Sequence, residues 1–323
     1  MFSRKLCGNG VPHFYTPEPL EHELPNSLMG KIFEWTDQGK SMKSFNWPVD
    51  ENDNPILSEC SKVSFILLYT SPEVASAFGL FWDNHEGIQD KMMDFWKVVA
   101  EKFKDNPTVA GYDVMNEPWV ANLFHDSMLF LDTQKFDREK LFPFSQKAHN
   151  AIRTVDDKKI IFFEPSQFPD TLPFFGGITM PIGFPETPGG SDYLDRQALN
   201  DHVYCCQVDK DMCIDGEPHL ENREVCRKFH AHKVSRRRES AAFYKVPLIW
   251  TEFGACFDGE RCAVEINNAC DAFDDNLSSW NHWMFKSFGD HTTHAGPAEG
   301  MFTPTGPQKM KLRALTRTYI HAW

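Results

Sequence analysis

The chain has 323 residues, enough for one large domain or two small ones. Acidic residues outnumber basic ones by 46 to 33, a formal charge of -13, so a phosphate backbone would be repelled and nucleic acid is excluded as a partner. Hydrophobic residues at 41% are sufficient for a folded core, and no run nears the ~18 apolar residues of a membrane-spanning helix.

Residues 1–8 lack the apolar stretch of a signal peptide. Residues 9–62 are rich in Pro, Asn, Asp and Glu and read as long loops with short helices. Residues 63–105 read as helical, because Ile88, Met92, Phe95, Trp96, Val99 and Phe103 recur at helix spacing. A repeating pattern follows. Strands are predicted at 109–115, 159–163, 201–206, 246–250 and 280–285. Between them, helices are predicted at 138–155, about 218–244, and 262–279. Strands alternating with helices imply a parallel sheet. Polar and acidic residues recur at the strand C-termini, the end that carries the active site in a (β/α)8 barrel.

The cysteines cluster, with seven of nine between 205 and 270. None has C-x-x-C spacing, so disulfides in an oxidising compartment are expected rather than a structural zinc site. The Asn276-Leu277-Ser278 glycosylation triplet agrees. Lys233-Val-Ser-Arg-Arg-Arg238 is expected to be a solvated helix face. His230-Ala-His232 and His291-Thr-Thr-His294 have metal-like spacing without further support.

The chemistry gathers at two glutamates. Glu117 follows the first strand between Asn116 and Pro118, and Glu252 follows the fourth between Thr251 and Phe253-Gly254. In a barrel both can enter one mouth, where two carboxyls about 5 Å apart suit a retaining glycosidase. One attacks the anomeric carbon, and the other protonates the leaving oxygen and then activates water. For a single strand-end glutamate, a salt bridge to the next helix is the simpler account. The pair, with its flanking Asn and Thr, favours catalysis.

Asn116-Glu117-Pro118, His202-Val203-Tyr204 and Thr251-Glu252-Phe253-Gly254, in strand order, resemble glycoside hydrolase family 5. Further segments resemble its endoglycoceramidase-related branch: Ser3-Arg4-Lys5-Leu6-Cys7-Gly8-Asn9-Gly10-Val11-Pro12, Asn84-His85-Glu86-Gly87-Ile88-Gln89-Asp90, Phe95-Trp96-Lys97-Val98-Val99-Ala100, Tyr204-Cys205-Cys206 and Leu315-Thr316-Arg317-Thr318-Tyr319. The resemblance implies a TIM-barrel fold, with Glu117 as acid/base and Glu252 as nucleophile. It implies that Asn116 binds the sugar 2-hydroxyl, that Tyr204 holds the nucleophile and that His202 stands beside it. It makes Trp283 the aromatic platform under the sugar, although Trp280 and a core role compete for that assignment. No cofactor or metal is implied.

The implied substrates are glycosphingolipids cut between glycan and ceramide, with peripheral contact to membrane lipid. The apolar loop Leu172–Phe184 either receives lipid tails or packs on the barrel rim. The implied location is secreted or lysosome-like. The branch has three strands before the equivalent of residue 1, including an Asp-x-His motif and an Arg, and a small C-terminal β-domain. The chain is therefore expected to be an N-terminally truncated copy. Residues 1–305 would form a partial barrel, and 306–323 would lead into the missing domain. The alternatives are a glucosylceramide or steryl β-glucosidase, and an inactive truncated glycolipid-binding pseudoenzyme.

Overall fold

The computed structural model describes residues 72–167, 178–207, 217–286 and 299–320. It also describes short pieces at 50–52, 56–60, 171–172 and 213–214 and the single residues 28, 31 and 69. The segment quoted above at 3–12, the His291–His294 pair and residues 173–177 of the apolar loop lie outside the described residues.

Five parallel strands form the central sheet: β1 (Gly111–Asp113), β2 (Ile160–Phe163), β3 (Gln197–Val203), β4 (Leu248–Phe253) and β5 (Ser279–Trp280). Each strand pairs with the next in sequence, with no reversal of order. A doubly wound sheet reverses its order at a switch point, whereas a barrel does not. The sheet is therefore an arc of a (β/α) barrel, with β1 and β5 at its edges among the described residues. At Gly111 the chains are so close that a Cβ would lie 2.2 Å from the Ile160 carbonyl oxygen.

Helices α1 (Pro72–Trp82), α2 (Ile88–Phe103), α3 (Phe142–Arg153), α4 (Arg223–Tyr244), α5 (Glu260–Asp275) and α6 (Lys309–Ile320) form the outer layer. Period-two alternation decides which side chains meet them. Tyr112, Ile161, Phe163, Leu199 and Trp250 are buried in one core with helical residues such as Ile152, Val234, Ile266 and Phe273. The Trp250 and Phe273 rings stack at 5.4 Å. The alternate positions Asp113, Asn200, His202 and Thr251 face the other side of the sheet, where the site lies.

The structure corrects several expectations. Of the helical stretch expected at 63–105, residues 63–68 and 70–71 lie outside the described residues, and the rest divides at Asn84, Glu86 and Gly87, all with left-handed backbone. The Asn84 side chain closes this corner by accepting from the Gln89 amide and donating to Asp90. On α2 the buried stripe is rotated from the expected one. Met93 and Ala100 are buried while Phe95 is 60% exposed. The helix predicted at 138–155 opens as a π-helical turn at Asp137–Leu141. There the buried Asp137 accepts from the amides of Ser166 and Gly183. The third strand starts at 197 rather than 201. Its polar residues Gln197, Asn200, Asp201 and His202 are all buried, a pattern that hydropathy alone does not mark as strand. The fifth strand stops at Trp280, and the Trp283–Met284 peptide beyond it is cis.

The basic run is only partly a solvated face, with Arg238 exposed. Lys233 and Arg237, one helical turn apart on α4, are buried. Arg237 Nε donates to Asp201 Oδ2, and Lys233 Nζ lies 3.6 Å from Asp201 Oδ1. His230 and His232 diverge. His230 pairs with Glu265 of α5 at 2.6 Å, and the exposed His232 accepts from the Thr179 amide. Disulfides Cys205–Cys226, Cys206–Cys213 and Cys256–Cys262 anchor the loops after β3 and β4. In α6, Ala314 and Leu315 join the core.

Burial raises the Asp201 carboxyl, but Lys233 and Arg237 overcome it and hold its pKa at about 2. The folded value is below the unfolded one. The stabilisation is thus present above the ordinary carboxylate range and is lost as pH falls through about 2. Asp201→Ala removes the buried carboxylate that Lys233 and Arg237 share and should cost about 3–5 kcal/mol, read by urea unfolding at neutral pH.

Candidate active site

The site begins with a backbone irregularity. Along β3 and β4, Asp201 pairs with Trp250 and His202 with Glu252, so the register skips Thr251. This β-bulge leaves Thr251 as the extra residue on β4. A bulge re-aims side chains. Here it turns two consecutive residues, Thr251 and Glu252, toward the same imidazole. Thr251 Oγ1 is 3.0 Å from His202 Nε2, and Glu252 Oε2 is 3.4 Å from His202 Nδ1.

Glu117 arrives from the other edge. Its φ of 44° is left-handed, a conformation costing a non-glycine residue about 1–2 kcal/mol. Two hydrogen bonds hold it there. Its amide donates to Glu164 Oε2 at 2.9 Å, and the Gln167 amide donates to the Pro118 carbonyl at 3.0 Å. Its side chain reaches His202, with Oε1 2.9 Å from Nδ1. One oxygen each of Glu117 and Glu252 and one nitrogen of His202 lie within 4.8 Å of one another. A divalent cation could use this spacing. Both imidazole nitrogens, however, are already engaged, by Glu117 and Thr251, so the cluster is held by hydrogen bonds.

Charge balance follows from this crowding. Burial alone would lower the His202 pKa, but Glu164, Glu117 and Glu252 raise it to about 10. The ring is therefore an imidazolium at neutral pH. Burial pushes the Glu252 carboxyl up to about 7, with Glu117 adding to the rise and His202 and the Tyr204 hydroxyl opposing it. The Tyr204 hydroxyl donates to Glu252 Oε2 at 3.1 Å. Burial, then the Glu252 charge, raises the Tyr204 phenol well above its ordinary value, so it remains a donor.

Four of the six expected residues, Glu117, His202, Tyr204 and Glu252, thus meet. Asn116 is exposed beside Glu117. Trp283 is half-buried at the far edge. Its competitor Trp280 packs on the core, with its ring 5.3 Å from Phe253. In the apolar loop, Ile182 and Phe184 are buried, and Phe184 packs on Phe142 and Phe163.

Sequence reasoning missed Glu164. It is buried, accepts from Glu117 and from Asn200 Nδ2 at 3.0 Å, and lies 3.6 Å from His202 Nε2. Burial raises its pKa well above the ordinary range, partly offset by His202. Its signal was the repeat of Glu-Pro after two successive strands, at 117–118 and 164–165.

The geometry gives a titration test. Tyr204 and the His202 charge both favour the carboxylate form of Glu252. Carbon-13 NMR of the glutamate carboxyls should show Glu252 titrating near pH 7, and Tyr204→Phe should move that midpoint upward.

An endoglycoceramidase from Cyanea nozakii is 28% identical to this chain over 332 residues, covering 100% of the chain and 56% of that protein. An endoglycoceramidase from Hydra vulgaris is 28% identical over 324 residues, covering 100% of the chain and 53% of that protein. The chain therefore spans little more than half the length of these curated relatives. The solved structure of endo-glycoceramidase II from Rhodococcus sp. in a ganglioside GM3 complex superposes with a TM-score of 0.65 at 22% identity. That superposition covers 96% of this chain and 56% of the other, and it shows a shared (β/α)8-type fold. The family model for cellulase, glycosyl hydrolase family 5, matches residues 75–289. The match takes in more than half of the chain and both glutamates, and the chain belongs to glycosyl hydrolase family 5.

Proposed function

We propose that the chain is a retaining β-glycosidase that cleaves glycosphingolipids between glycan and ceramide. The observation that carries this reading is the approach of Glu117 and Glu252, whose carboxylate oxygens lie within 4.8 Å of each other across the sheet. Inverting enzymes keep their carboxyls ≈ 6.5–9.5 Å apart to admit a water, and retaining ones keep them close enough for direct attack. Glu252, buried and held by Tyr204, attacks the anomeric carbon. Glu117, less buried and facing the approach, protonates the leaving oxygen and then takes a proton from the hydrolytic water. Asn116, exposed beside Glu117, reaches the 2-hydroxyl, and Trp283 stacks on the sugar face.

The substrate class rests on the relatives. Two proteins named endoglycoceramidase align along the whole chain, and the ganglioside complex belongs to a protein with the same fold. The three disulfides favour an oxidising compartment. A second reading, a glycolipid-binding protein without turnover, draws on the two edges that the sheet has among the described residues and on the exposed Asp113 at one of them.

The test is product analysis by mass spectrometry after incubation with gangliosides and glucosylceramide. Wild type should release intact oligosaccharide and ceramide. Glu252→Gln should release nothing, and Glu117→Gln should be slowed about 10²–10⁴-fold. Glucose as the sole product would make the chain a glucosylceramidase, and binding without product would favour the second reading. The pH dependence has a definite sign. Attack needs ionised Glu252, so kcat/KM should rise as pH increases toward about 7.

A further inference from the structure

His202 is surrounded by titratable groups on every side. Glu117 and Asp113 come from the β1 segment, Glu164 from the end of β2, Tyr204 and Asp201 from the β3 segment and Glu252 from β4. The hydrogen bonds among them have a direction that can be worked out one donor at a time. Asn200 Nδ2 donates to Asp113 Oδ2 at 2.7 Å and to Glu164 Oε1 at 3.0 Å. Two carboxyl groups thus fix the amide, and Asn200 Oδ1 faces Thr251. That oxygen can only accept, so the Thr251 hydroxyl gives it its single proton, at 2.6 Å. Thr251 Oγ1 is left as an acceptor toward His202 Nε2 at 3.0 Å. Nε2 must then carry a hydrogen in every protonation state, and Nδ1 is where the ring gains or loses a proton. Nδ1 lies nearest Glu117, at 2.9 Å, and 3.4 Å from Glu252.

We propose that Thr251 is a positioning residue that keeps one imidazole proton on Nε2, so that the second is shared between His202 Nδ1 and Glu117 and the two side chains act as one acid/base unit. This rests on the reading of Glu117 as the acid/base. When the shared proton passes through Glu117 to the leaving oxygen, Glu117 is left as a carboxylate and Nδ1 without its hydrogen, while Nε2 keeps its own toward Thr251. When water attacks the glycosyl-enzyme, the water proton returns to the same pair. No other group gains or loses a proton. The bulge is what makes this possible, because an unbulged strand would turn Thr251 away from the face that Glu252 occupies.

Two measurements on the full chain test it. The first does not depend on activity. In protein labelled with nitrogen-15 histidine, with the His202 signals identified by their loss in His202→Gln, Nε2 should remain protonated while Nδ1 titrates. Thr251→Val, close in shape and lacking the acceptor, should lower the His202 midpoint by about one pH unit or more. Thr251→Ser should restore it. Titration at Nε2, or an unmoved midpoint in the valine variant, overturns the proposal. The second measurement compares an alkyl β-glucoside, which needs protonation of its leaving group, with a dinitrophenyl β-glucoside, which does not. Thr251→Val should slow the alkyl substrate about tenfold more than the dinitrophenyl one. Equal slowing would assign Thr251 a merely structural role. If wild type cleaves neither substrate, the acid/base reading of Glu117 fails, while the ring-proton measurement still decides where the proton sits.

Discussion

A single buried imidazolium holds the site together. Burying a cation is unfavourable unless its charge and hydrogen bonds are satisfied. His202 meets that condition by drawing Glu117, Glu164 and Glu252 toward it from three different strand ends. Each of those carboxylates would in turn be unfavourable to bury beside the others without it. The arrangement fixes the separation of the two glutamates and leaves Glu252 with a pKa raised to about 7. The Glu164 it draws in also accepts from the amide of Glu117, one of the two hydrogen bonds that hold its left-handed backbone. A second charge cluster lies behind the sheet, where Asp201 faces outward to Lys233 and Arg237 of α4. Adjacent residues of β3 thus carry opposite loads. His202 serves the site, and Asp201 ties the strand to its helix.

Much of the site was legible in the sequence because its parts stand at strand ends with unusual neighbours. Asn116-Glu117-Pro118, His202-Val203-Tyr204 and Thr251-Glu252 each combine a polar functional group with a sharp stop to an apolar run. The strand alternation that marks a barrel was equally visible. The rest was hidden because it depends on contacts between distant segments. Nothing local says that Lys233 and Arg237 turn inward, since their partner Asp201 is on another element. Nothing local announces the bulge at Thr251, since it is a property of two strands in register. Glu164 was passed over because a single strand-end glutamate has a simpler structural account, and only the position of the Glu117 amide reveals its use.

The fold and the chemistry meet at the carboxyl ends of the strands. The faces of β1 to β4 that look toward the helices are packed with aromatic and branched residues. The opposite faces carry Asp113, Asn200, His202 and Thr251, which find their partners in one another. The residues that bear the reaction are therefore supported by a polar network on one side and by a hydrophobic core on the other. The disulfides Cys205–Cys226 and Cys256–Cys262 follow directly after the strands that carry Tyr204 and Glu252, so covalent links reinforce the two loops nearest the nucleophile.

The central claim is that Glu252 becomes covalently glycosylated while Glu117 serves as acid and base. Trapping with a 2-deoxy-2-fluoro-β-glucosyl fluoride, followed by intact mass and peptide mapping, tests it most directly. The fluorine slows both steps, and the reactive leaving group lets the first proceed without an acid. The account predicts one added fluoroglucosyl group on the peptide containing Glu252, formed equally in Glu117→Gln and absent in Glu252→Gln. A label on Glu117, on Glu164 or nowhere in folded protein would contradict it.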